Sequence, residues 1–116
     1  MKSIIKLSDR KRGDTFPGVE LQYLTDRNVP FNLSGCIIDI DFKRDPNSEL
    51  AEFTFSTVDN SITIIDSALG KFKLMPRILD YQIGKYYFDI QITDSLGTIR
   101  TIVNGEFNII LDITIR

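Results

Sequence analysis

The chain has 116 residues, 42% of them hydrophobic and 26% charged, with a formal net charge of -2. That balance suits one globular domain over residues 1–116 with its own core; it excludes intrinsic disorder, and the charge excludes bulk attraction to nucleic acid or acidic membranes. One cysteine and no histidine exclude an intrachain disulfide, zinc sites of the usual nitrogen and sulfur kind, and Ser-His-Asp or Cys-His nucleophiles.

The opening run has only Ile4 and Ile5 together before charges return. It lacks the apolar stretch of a secretory signal, and no segment approaches the roughly 18 apolar residues of a membrane span. The expectation is a chain made in a cytoplasm and soluble there. Ser3 to Leu7 predicts a short first strand with Ile5 and Leu7 on one face. Arg10, Lys11 and Arg12 follow, then Gly13-Asp14-Thr15. Without interleaved aromatics this cluster reads as a solvated turn, not a phosphate-backbone contact.

Thr15 to Thr25 predicts a second strand, with Val19, Leu21 and Tyr23 sharing a face. Pro17 has no N–H for a ladder, so it marks an edge or the strand's first residues. Asn32-Leu33-Ser34 matches a glycosylation acceptor, but without a secretory signal the match carries no weight. Cys36 to Lys43 alternates. Cys36, Ile38, Ile40 and Phe42 point one way; Ile37, Asp39, Asp41 and Lys43 point the other. Cys36 reads as a small buried hydrophobe, since no histidine is present to activate a thiolate.

Arg44 to Ser48 is a turn, and Ala51, Phe53 and Phe55 form the next inner row. Asp59-Asn60 turns the chain, Ile62 and Ile64 are inner residues, and Asp66 to Gly70 turns it again. Phe72 and Leu74 form a further inner row, stopped by Pro76. Arg77 to Ile83 is the one stretch where a helical turn fits, with Ile78, Leu79 and Ile83 capping one end of the core.

Gly84 to Thr93 has the strongest period of two in the chain. Tyr86, Phe88, Ile90 and Ile92 fall on one side; Tyr87, Asp89, Gln91 and Thr93 fall on the other. Gly84 stands two residues before Tyr86. That spacing predicts a tyrosine corner, in which the phenol bonds back to nearby backbone at a strand start of a Greek-key sandwich. Asp94 to Gly97 ends the strand. Asn104-Gly105 is either a hairpin turn or a bulge inside one long final strand. The bulge is preferred, because a sandwich needs one closing strand beside Gly84–Thr93. Phe107, Ile109, Leu111, Ile113 and Ile115 then share a face to the end. Short strands with turns between them and no long helix make the chain all-β, a sandwich or barrel; with the tyrosine corner, the expectation is a sandwich of two antiparallel sheets.

Two constellations on the outward positions have candidate chemistry. Asp39, Asp89 and Asp112, with Asp41 close by, would face out together if their strands are neighbours. Hard oxygen ligands of this kind suit a cation, but no calcium-loop spacing accompanies them, so a solvated polar face balanced by Lys43, Lys85 and Arg100 is preferred. Ile37, Tyr87 and Ile110 would form either an apolar patch for a partner on that face or ordinary scattered surface hydrophobes. No cofactor is expected.

The chain as a whole also carries a resemblance. Its residues are Lys11-Arg12-Gly13-Asp14-Thr15-Phe16, Asn32-Leu33-Ser34-Gly35-Cys36, Gly70-Lys71-Phe72-Lys73-Leu74 and Gly84-Lys85-Tyr86-Tyr87-Phe88-Asp89-Ile90, then Gly105-Glu106-Phe107 and Leu111-Asp112-Ile113-Thr114. With these the sequence resembles small immunoglobulin-like structural proteins of tailed bacteriophages and prophages, including the N-terminal domain type of baseplate upper proteins. The resemblance implies an immunoglobulin-like Greek-key sandwich without catalysis, placed in a virion or in the bacterial host cytoplasm. Such a part binds copies of itself or other phage structural proteins; that nucleic acid and membrane are not expected partners comes from the charge and the lack of an apolar run. The rival function is a small carbohydrate-binding module, which the lack of tryptophan disfavours; a carboxylate enzyme ranks below both.

Overall fold

The structure, a computed structural model, describes residues 3–6, 10–25 and 27–110. Leu7, Asp112 and the apolar tail from Leu111 onward lie outside the described residues. Within them the chain is all-β. Its strands are β1 (Ser3–Lys6), β2 (Arg10–Lys11), β3 (Thr15–Phe16), β4 (Val19–Gln22), β5 (Ile37–Lys43) and β6 (Phe53–Ser56). They continue with β7 (Ile62–Asp66), β8 (Lys71–Leu74), β9 (Arg77–Ile78), β10 (Gly84–Thr93) and β11 (Ile99–Ile110). No helix among the described residues is long and apolar enough to cross a membrane.

The larger sheet runs β1-β11-β10-β5-β6, with β2 also beside β11. The smaller runs β4-β8-β7, and β3 pairs with β9 apart from both. Antiparallel pairing dominates, but β1 and β2 lie parallel to β11. Alternation decides which face of each strand is buried. On β5 it buries Ile38, Ile40 and Phe42; on β10, Tyr86, Phe88, Ile90 and Ile92. The smaller sheet contributes Ile62, Phe72 and Leu74, so both sheets close on one core in a sandwich-like arrangement. Aromatic rings fill its middle: Phe42 stacks on Phe53 at 4.5 Å and meets Phe107 edge-on at 5.8 Å.

Several details depart from the sequence reading, the first being that Arg10–Lys11, expected in a solvated turn, is a strand beside β11. The expected second strand is two, because Pro17 and Gly18 separate β3 from β4. Arg77–Ile83 forms no helical turn. Arg77 and Ile78 pair with Phe16 and Thr15, while Gly13 N–H donates to the Leu79 carbonyl at 2.7 Å and Leu79 N–H to the Asp14 carbonyl at 3.0 Å. That ladder takes the backbone groups a helical turn would have used. Leu79 is buried as expected, whereas Ile78 is exposed.

β11 runs unbroken past Asn104-Gly105, so no hairpin interrupts it, and the irregularity lies elsewhere. Ile90 pairs with Val103 and Gln91 with Thr101, leaving Ile102 as the extra residue. Cys36, finally, is half-buried at the rim of the core and not within it. Burial pushes its thiol up, Asp94 adds to this, and Arg100 opposes it. A thiol held protonated is a poor nucleophile.

Candidate interaction face

The outward side chains of β5, β10 and β11 form a ladder of rows across the larger sheet. Successive rows lie roughly 6.7 Å apart, since same-face positions recur every two residues. From one end, the register sets Ile37 beside Thr93 beside Ile99, then Asp39, Gln91 and Thr101. Next come Asp41, Asp89 and Asn104, then Lys43, Tyr87 and Glu106. Lys85 pairs with Asn108 beyond these, and Ile110 with Lys11 at the far end.

The register brings Asp41 and Asp89 directly opposite each other, with Asp39 one row away. Asp39 is engaged by the Ser56 hydroxyl, which donates to its Oδ1 at 2.6 Å. Among the described residues no group of three acidic, histidine or cysteine side chains is placed to hold a metal ion, and Asp112 lies outside them. Burial pushes the Asp41 carboxyl above the usual carboxylate range; Lys43 pulls it down, and Asp39 and Asp89 push it further up.

Because its folded-state pKa is raised, Asp41 costs stability once ionised. The penalty is absent below the ordinary carboxylate pKa and complete above the raised one. Asp41→Asn is therefore expected to stabilise the fold at neutral pH by about 0.5 kcal/mol, the scale of one like-charged cross-strand pair. Urea unfolding at pH 7 and pH 3 checks this; the gain shrinks at the lower pH.

Ile37, Tyr87 and Ile110 share the face, but not one patch. Ile37 pairs with Thr93, six positions from Tyr87, a separation of roughly 20 Å. Ile110 lies beyond Tyr87 on the side away from Ile37. The carboxylate rows fill the gap. The apolar partner of Ile37 is instead Ile99, across Thr93. Ile37 is 41% exposed, Ile99 65% and Leu96 in the adjoining turn 90%, so these branched side chains project into water and not into the core. The bulge at Ile102 hid Ile99 from the sequence reading. Counting alternate residues back from Phe107 turns Ile99 inward, and the extra residue turns it out.

Tyr87 borders a depression of about 200 Å³ lined also by Lys43, Pro46, Asp89, Asn104 and Gly105. The Lys85 ammonium stands 5.7 Å from the Tyr87 ring centre and 3.4 Å from the Glu106 carboxylate. At the start of β10, the buried Tyr86 hydroxyl donates to the Gln82 carbonyl. Burial, chiefly, pushes its phenol up. Gly84 leaves the space that the Arg44 guanidinium fills, since a Cβ there would stand 2.6 Å from Arg44 Nη2. That guanidinium lies 5.7 Å from the Tyr86 ring centre. Gly84 and Tyr86 thus act together at the strand start, away from the outward rows.

No family model matches the sequence, and no curated protein matches it.

Proposed function

We propose that this chain is a non-enzymatic structural protein of a tailed phage or prophage, a tail or baseplate part that works by protein association. The observation that carries the reading is the outer face of the larger sheet, where branched apolar side chains at Ile37 and Ile99 stand exposed beside rows of both charge signs. Isolated exposed hydrophobes are ordinary, but a row of them bordered by charged residues has the makeup of a contact surface.

The strand layout supports the immunoglobulin-like Greek-key form of the fold. β5, β10 and β11 lie together with β6 appended, β4, β8 and β7 form the opposing sheet, and a tyrosine bonds back to backbone where β10 begins. Sugar binding at Tyr87 is disfavoured. A sugar ring stacks on an open aromatic face, and the Lys85 ammonium already stands near this one.

The test is quantitative mass spectrometry of particles and tail intermediates purified from the bacterium whose genome carries the chain. The expected result is this chain at a fixed stoichiometry to the other tail proteins. Its absence from both particles and intermediates overturns the reading.

A further inference from the structure

The outward rows form a sequence that complements itself when reversed. Numbered from the Ile37 end, the third holds Asp41, Asp89 and Asn104, and the fourth Lys43, Tyr87 and Glu106. The second holds Gln91 and Thr101 beside Asp39, and the fifth Lys85 and Asn108. Exposed isoleucines mark both extremes, Ile99 at one and Ile110 at the other. We infer that this face docks a second copy of the same chain, face to face, about a two-fold axis lying across the strands between the third and fourth rows. The inference rests on the association reading above and names its partner.

Such an axis reverses the row order and keeps each strand over its own mate. It sets Asp41 over Lys43 of the second copy and Asp89 over its Tyr87 hydroxyl. Asn104 then meets Glu106, Gln91 meets Lys85, and Ile99 meets Ile110. Each contact occurs twice. The paired Asp41 and Asp89 carboxylates, a repulsive element within one chain, gain a cation and a hydroxyl donor from the other. The alternative two-fold, along the strands through β10, stacks Asp89 on its own symmetry mate and adds to the repulsion already present.

Four rows three strands wide and two narrower ones cover roughly 33 Å by 15 Å, or about 500 Å² per copy at most. That is the low end for a specific interface, so the dimer is reversible with a micromolar or weaker Kd and not obligate.

Sedimentation velocity from about 5 to 500 µM tests it, on the wild-type chain, Asp41→Lys, Lys43→Asp and the double exchange, each checked for folding by circular dichroism. The expected result is a concentration-dependent dimer that either single reversal weakens roughly tenfold or more and the double exchange restores to within a few-fold. Ile99→Lys, at an exposed position, weakens it independently of those charges. A dimer indifferent to all of these substitutions, or one that the double exchange does not restore, overturns the assignment of this face and this axis. A wild-type chain that stays monomeric to 500 µM overturns self-docking altogether. Neither result touches the structural role, which stands or falls on the chain's presence in particles.

Discussion

Phe42→Ala is expected to destabilise the fold by about 3–5 kcal/mol, the usual range for emptying a large aromatic site in a packed core. Phe42 is 1% exposed and lies where the strands of the larger sheet meet. Its ring centre is 4.5 Å from that of Phe53, 5.8 Å from Phe55, 5.2 Å from Phe88 and 5.8 Å from Phe107. No single neighbour can move in to fill the space, because each is held on a hydrogen-bonded strand: Phe53 and Phe55 on β6, Phe88 on β10 and Phe107 on β11. Domains of this size are stable by only about 5–15 kcal/mol, so the loss removes a large share of the total. Urea unfolding should show the midpoint falling by roughly 2 M or more at an m value of about 1.5 kcal/mol/M. A loss below 1 kcal/mol would mean that these five rings do not meet.

Gly70→Ala is the second large effect, and its cause is backbone and not volume. Gly70 has φ +69, and a Cβ on it would stand 2.6 Å from the Tyr23 carbonyl oxygen and 2.8 Å from that of Phe31. Neither oxygen can withdraw easily. Tyr23 N–H donates to the Gly70 carbonyl at 2.9 Å, and Phe31 N–H to the Tyr23 carbonyl at 3.1 Å. The left-handed conformation alone costs an L-residue about 1–2 kcal/mol, and the two overlaps raise the expected total to about 3 kcal/mol. For a domain of this size that lowers Tm by roughly 10–20 °C in a thermal melt. An unchanged Tm would show that the chain does not pass between those carbonyls.

Much of this was legible in the residues. The alternation of β5 and β10 is nearly unbroken in sequence, and the structure buries the side of each strand that alternation assigned to the core. Turns marked by Asp59-Asn60 and by Asp94 to Gly97 fall where Asx chemistry put them, with Asp59 and Asp94 carboxylates accepting the Ser61 and Leu96 N–H groups at 2.9 Å. What escaped was decided between strands and not along them. Alternation places Ile37 and Tyr87 on one face but says nothing of how far apart they lie, because lateral register is set by the partner strand. The bulge at Ile102 reverses the parity of the residues before it, so plain alternation from Phe107 puts Ile99 on the wrong face, and its pairing with Thr93 puts it on the outer one. Arg77 and Ile78 carried too short a pattern to distinguish a strand from a turn, and the deciding partner, Thr15-Phe16, is far away in sequence.

β1 and β2 run beside β11 in the same direction. Traction entering upstream of Ser3 and leaving downstream of Ile110 therefore drags two co-directional ribbons past one another. Such a pull strains all the cross-links of that seam at once, where a peeling force would open them singly. The molecule should resist being stretched end from end much better than being unzipped from the side.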